Sequence, residues 1–323
     1  MSRWLLVPLC LSIACVDQAP LQVGEDSGSP DGVEAPEVGM PMTVDLVGRD
    51  YLLDTDTDEA ADVSTVPDRD THCVGAQLTD EGARAVLRLT ERTDDETIYT
   101  TYDRIDGIAA LFETCGDPWG MFPTTYRRIT ARGLQAIADD DFDEPAWAHR
   151  IILDFAGRYM DNLAEALRGG EPSWAWAHYY NLADRSDVSR TRAVLVGMVA
   201  HLTLDLPYSL LEIGTYEEHE DDFFVFGEMM IEVSDLLIGD LQHHYDADAE
   251  DILNGFFFGD WVDGVFGEQT MITLSYQTIR TKAWNGRWLL EDWWTAWVAD
   301  GEIWAAFWTI DGVLATLDAA DII

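Results

Sequence analysis

Basic residues are what this chain has least of. Lysine and arginine together number 19 against 61 aspartates and glutamates, Lys282 is the one lysine, and the formal net charge is -42 at pH 7. A nucleic-acid partner needs a basic footprint, so nucleic-acid binding is excluded. An anionic bilayer surface repels such a domain as well. The acid reads as a solvated surface that keeps the protein soluble, with a divalent-cation store as the alternative.

Several chemistries are missing too. No Gly-x-Ser-x-Gly elbow, phosphate loop or His-Glu-x-x-His occurs, so serine or cysteine nucleophilic catalysis and the common zinc-protease arrangement have no sequence support. Two acidic stretches resemble the opening of a calcium loop and fail at its diagnostic positions. Asp54-Thr55-Asp56-Thr57-Asp58 is followed by Glu59 where glycine is needed and by Thr65 where glutamate is needed; Asp246-Ala247-Asp248-Ala249-Glu250 has Asp251 and Phe257 there. Period-two runs are scarce as well. Only Thr97–Tyr102 and part of Tyr51–Leu53 read as short strands.

Cysteine is nearly absent, with four in 323 residues. Met1-Ser2-Arg3, the apolar run Trp4–Ala14 and Cys15 read as a secretory signal, the run being too short to span a bilayer. Ser12-Ile13-Ala14-Cys15 resembles the lipobox of bacterial lipoproteins, which implies lipidation of Cys15 and a membrane anchor. Ser12 stands where leucine is usual, leaving ordinary cleavage and a soluble secreted product as the alternative. Cys10 goes with the signal. Cys73 and Cys115 then form an even pair in an oxidising compartment, and a disulfide is expected between them, stabilising by about 3–4 kcal/mol through chain entropy. Free thiols or a redox couple are the other readings, and no Cys-x-x-Cys favours the latter.

What the chain does have is apolar residues, 47% of the total, with 13 tryptophans, enough for a sizeable core. Residues 16–44 are a disordered acidic tether by composition. Residues 45–100 read as an irregular N-terminal part and 101–323 as one all-α, bundle-like domain. Expected helices are Ile105–Phe112, Thr124–Ala138 behind Pro123, a segment from Pro145 to Leu167 closed by Gly169-Gly170, and Trp174–Ala183. After a central helix come Glu217–Tyr245, Ala249–Phe258, Glu268–Val298 and Glu302–Asp318. The tryptophans from Trp284 to Trp308 are expected to pack the last two helices onto the core, an aromatic sugar-binding cleft being the alternative.

The central helix carries the candidate site. Ser186, Asp187 or Ser189 caps its start and Pro207 is expected to stop it near Asp205. His201 and Asp205, four apart, share a face with Val194 and Met198, which puts two polar groups on an apolar surface. A carboxylate in a last helical turn is disfavoured by roughly 0.3–1 kcal/mol, so Asp205 calls for a cation. The choices are a metal such as zinc shared with His201, a distant arginine, or His201 protonated. One His-x-x-x-Asp pair falls short of the ligands zinc needs, and His178 is the best further candidate. His219 reads as part of a solvated helix start, and His243 and His244 as cations suiting a helix end.

Gly197-Met198-x-Ala200-His201-Leu202-x-x-Asp205-Leu206-Pro207 resembles the signature of an uncharacterised, largely bacterial all-α family, domain of unknown function family 5995, over roughly Gly120 to Leu290. Supporting pieces are Tyr126-x-x-x-Thr130, Phe155-Ala156-x-x-Tyr159-x-Asp161, Trp174-x-Trp176 and Arg280-x-x-Ala283-Trp284. The chain departs from the family pattern at Val199, Thr203 and Leu204, where the family is more polar. The resemblance implies a helical bundle and assigns no activity. A fainter likeness runs to the all-α zinc-dependent phospholipase C and nuclease families, which use a helical His-x-x-x-Asp pair among their ligands. Here Tyr208-Ser209-Leu210 follows the aspartate where one of those families repeats a histidine.

The expected polar cluster is therefore His201, Asp205, Asp161 and Arg280. Three functions fit it: a cell-envelope lipoprotein whose cluster is structural or binds a partner, a metal-dependent hydrolase of phosphoesters or lipids, and a carrier of an apolar ligand.

Overall fold

The computed structural model describes residues 67–258 and 276–323. The signal, Cys15, the tether, the stretch around Asp54 and Tyr51–Leu53 lie outside the described residues.

The described chain is all-α. A first turn of helix, α1 (Arg69–His72), leads into a hairpin of two-residue strands, β1 (Cys73–Val74) and β2 (Gln77–Leu78), paired antiparallel with Cys73 opposite Leu78. Gly75 makes the turn at φ +63°. Helix α2 (Asp80–Thr90) follows, its first turn capped by the Thr79 hydroxyl accepting from the Gly82 N–H. A regular helix therefore occupies ground expected to be irregular. The disulfide Cys73–Cys115, 2.06 Å between sulfurs, ties the hairpin to the end of α3 (Ile98–Cys115).

Helix α3 also takes in the stretch expected as a strand. Thr97 and Thr100 close a reciprocal capping box, which starts a helix where alternation suggested extension. Gly116 ends it at φ +69°. Helices α4 (Met121–Ala138), α5 (Pro145–Leu167) and α6 (Trp174–Ala183) lie close to their sequence expectations, with Pro145 opening α5 and Gly169 at φ +70° following its end, while α4 starts at Met121 and takes Pro123 into its first turn.

The central helix differs from expectation. Ser189 caps α7 (Arg190–Ala200), accepting from the Arg192 N–H at 3.0 Å, but Pro207 does not stop the rod. The chain passes through one π turn, His201–Asp205, and continues as α8 (Leu206–Glu212), with Pro207 inside its first turn. In a regular helix the proline ring would meet the carbonyl four residues back. Here the Leu206 N–H bonds to the His201 carbonyl five residues back, and the widened turn absorbs the ring. Residues Arg190–Glu212 are long and apolar enough to cross a membrane, with mean hydropathy 1.5 over the best window, yet 83% of that window is buried inside the protein. It is the core helix of the domain.

The segment expected as one helix from Glu217 is broken into a 3-10 turn at Glu217–His219, α9 (Glu220–Glu232) and α10 (Ser234–Tyr245). Helix α11 (Glu250–Phe258) follows, then α12 (Tyr276–Glu291) and α13 (Ala296–Ala319). Helices α4, α5, α6, α12 and α13 all pack against the central rod or its π turn. The C-terminal tryptophans divide. Trp284 is buried, whereas Trp293, Trp294 and Trp297 at the α12–α13 corner are 68–72% exposed and Trp304 is 57% exposed. These four rings do not pack the core, whereas Trp308, partly buried, does.

Candidate functional site

The π turn sets the site. His201 and Asp205 are 3% and 4% exposed, and His201 Nδ1 lies 2.9 Å from Asp205 Oδ2. The same oxygen accepts a hydrogen bond from Trp176 Nε1 at 2.8 Å. A carboxylate only accepts, so the imidazole proton belongs on Nδ1 and Nε2 carries the lone pair. Nε2 is buried and has no hydrogen-bond partner. It shares this with other buried polar atoms, Tyr159 Oη, Tyr180 Oη and Ser209 Oγ among them.

Aromatic rings hold the imidazole. Phe155 stacks on it with centroids 3.5 Å apart, and Tyr126 and Phe122 meet it edge-on at 4.8 and 5.2 Å. This sheath removes water, and burial pulls the His201 pKa below its ordinary value against the opposing pull of Asp205. The imidazole is neutral. Burial likewise pushes the phenols of Tyr126 and Tyr180 upward, with the Asp205 charge adding to the shift.

Gly197 makes the packing possible. A Cβ there would lie 3.0 Å from the Tyr179 ring, which is fixed by accepting from the Phe122 N–H at 3.2 Å and donating to the Trp119 carbonyl at 3.0 Å. Tyr179 in turn sets where Phe122 enters the sheath.

A cavity of about 30 Å³ opens beside the ring, lined in part by Phe122, Tyr126, Met198, His201 and Arg280. A single water needs roughly 10–15 Å³ on this measure, so the space suits a very small molecule. Asp205 is not on its wall.

The four expected polar residues do not all converge. Asp205 is not in a last helical turn, and its protein partners are His201 and Trp176, with no arginine among them. Asp161 faces the other way, paired with Arg92 at 2.8 Å in a half-exposed bridge. Arg280 reaches the cavity but not Asp205. It is 1% exposed, stacked 4.1 Å over the Phe223 ring, and bonded to Gln277 Oε1 and the Phe223 carbonyl. Its room comes from Gly227, where any Cβ would collide with the guanidinium.

His178 is not a partner of His201 either. Its Nε2 lies 3.0 Å from Asp311, which also binds Arg192 at 3.0 Å. Two residues along one helix from Trp176, it points to another face. The set His201, Asp205 and His178 is therefore not assembled, and among the described residues no group of three or more His, Cys, Asp or Glu is placed to hold a metal. His219 is buried, not solvated: its Nδ1 accepts from the Tyr216 N–H at 2.9 Å and its ring stacks on Trp147.

Sequence reasoning missed Phe122 and the role of Trp176. Nothing near Phe122 distinguishes it from a core residue. Trp176 carried a signal, since an indole N–H inside a buried helix needs an acceptor and buried acids are few.

These features define an all-α domain, tied by one disulfide, built around a buried His–Asp–Trp cluster with one nitrogen left free. A family of unknown function (DUF5995) matches residues 98–299, and the chain belongs to that family. No curated protein and no solved structure matches. The matched span holds every residue named around His201.

Proposed function

We propose that this is an exported cell-envelope protein, held to a membrane through Cys15, whose helical domain binds a small ligand in the cavity beside His201. The cavity carries this reading: a small, mainly apolar space lined in part by Met198, His201 and Arg280 lies beside an imidazole oriented by Asp205 and sheathed by rings. The lipobox-like Ser12–Cys15 and the acidic tether support the address. A metal-dependent hydrolase has less support, because one histidine nitrogen is spent on Asp205 and the described donors do not gather. A carrier of large apolar molecules has less too, given about 30 Å³.

Two measurements test it. In the full chain with isotope-labelled histidine, the His201 ring signals should move saturably on titration with at least one of ethanol, propanol, acetate or propionate. Silence toward all four would leave the cluster purely structural. Metabolic labelling with a fatty acid should mark the wild type and spare Cys15→Ser; equal labelling, or none in either, would refute the anchor.

A further inference from the structure

We propose that α13 is the contact surface of a symmetric dimer, in which its exposed tryptophans pack onto glycine and alanine positions of the same helix, running antiparallel, in a second copy of this chain.

The exposed aromatic area is the first argument. Trp293, Trp294 and Trp297 are 68–72% exposed and Trp304 is 57% exposed. The rings of Trp304, Trp308 and Trp174 follow one another at 6.2 and 6.1 Å, so the patch continues from α13 onto α6. A packed tryptophan buries about 150–250 Å², so the four exposed rings leave roughly 500 Å² in water on each copy. Two copies would bury about 1,000 Å² from these rings alone, which is where specific interfaces begin. Tryptophan is also a residue type in which binding energy concentrates.

Charge is the second. The chain has 61 acidic residues in 323, yet a sector of about 100° around α13 holds only tryptophan, glycine and alanine. Its members recur three or four residues apart, as in a helix-packing seam. The acids of the helix lie outside that sector. Asp311 is buried against His178 and Arg192, Asp318 pairs with Arg192, and Asp300 accepts from Tyr208. A chain of net charge -42 can therefore meet its own copy here without setting carboxylates against each other.

Register is the third. A two-fold contact is self-complementary, so a residue that meets a second residue across it is met by that residue in return. An antiparallel pair of α13 helices with Trp304 opposite Ala305 also sets Trp297 opposite Gly312 and Trp308 opposite Gly301. One register thus gives each tryptophan of the sector a small residue to cover. The same register puts Asp300 opposite Thr309 and Asp311 opposite Val298, so no acid of one α13 faces an acid of the other. The two glycines have no steric reason within their own copy. A Cβ at Gly301 or Gly312 meets nothing within 4 Å among the described residues, and glycine weakens a helix interior relative to alanine.

The experiment is sedimentation velocity over a range of concentrations, on the full chain carrying Cys10→Ser and Cys15→Ser, which removes any lipid and leaves only the disulfide pair. A reversible dimer should form and should tighten as sodium chloride rises from about 20 mM to about 0.5 M, because salt screens the repulsion between two acidic copies. Trp297→Ala and Gly312→Trp should each weaken it at least about tenfold, the first by losing a ring and the second by setting two rings against each other. Both positions are exposed, so each variant should melt as the parent does. The double variant Trp297→Ala/Gly312→Trp restores one large and one small residue at each contact and should recover most of the affinity. A monomer at every concentration, a dimer that neither single variant weakens, a dimer that loosens with salt, or a double variant weaker than both singles would overturn the proposal. So would a monomer that uses these rings to bind phosphatidylcholine vesicles or a soluble glucan.

Discussion

At the scale of single residues, the account separates two aspartates that look alike in the sequence. Asp205 is buried and satisfies both Trp176 and His201, whereas Asp161 shares a half-exposed bridge with Arg92. Asp205→Ala strands two buried donors and should destabilise by about 2–5 kcal/mol in urea denaturation. Asp161→Asn should cost less than about 1 kcal/mol, the range for exposed ion pairs. Equal losses would mean that the cluster is not where stability is concentrated. His201 makes a second prediction, in acid. Its folded pKa lies below its unfolded value of about 6.5, so the unfolded chain binds more protons as the pH falls below that value. The contribution from neutral His201 is therefore fully present above about pH 6.5 and is lost as pH drops, by up to about 1.4 kcal/mol per unit. His149 and His244 are shifted the same way by burial, so the comparison is with His201→Phe, whose stability should fall less steeply below pH 6.5. Parallel slopes would contradict a buried neutral imidazole.

At the scale of elements, legibility followed local chemistry. Helices α4, α5 and α6 could be read from Pro145, Gly169 and their apolar stripes because those signals act within a few residues. The π turn could not. Pro207 alone predicts a stop, and only the packing of α4, α5, α6, α12 and α13 around the rod favours a continuous helix that widens by one residue. Locally, His201 and Asp205 were read correctly as one face, but the dipole argument for a cation failed because the helix does not end there. Tyr126, Phe155, Trp176 and Arg280 stood out as separate motifs, and their convergence depends on tertiary contacts that no spacing encodes. Gly197 tests this level. Gly197→Ala adds a Cβ 3.0 Å from a Tyr179 ring locked by hydrogen bonds, so overpacking should outweigh the gain in helix propensity. We expect a loss of about 1–2 kcal/mol and a shifted Trp176 fluorescence; a stabilised variant would show that the rings around His201 are loosely held.

For the whole molecule, charge and the disulfide dominate. With 19 basic residues against 61 acidic, self-repulsion opposes the compact state, and the arginines are used as internal ties, such as Arg128 bidentate on Asp240. Melting temperature should therefore rise as sodium chloride increases from low ionic strength to about 0.5 M; a flat response would place the acid outside the energetics of folding. Reducing Cys73–Cys115, a sequence separation of 42, should cost about 4 kcal/mol by the chain-entropy relation, measured as a shift in urea midpoint. The charge was legible in composition, and the disulfide was legible because Cys73 and Cys115 are the pair left once Cys10 and Cys15 are set aside.

The ring of His201 offers the most direct check on the account. In nitrogen-resolved spectra of the full chain, assigned by loss of the signal in His201→Phe, the ring should be neutral, protonated on Nδ1 and unchanged from pH 8 to pH 6. Titration at the ordinary value of about 6.5, or a proton on Nε2, would contradict it.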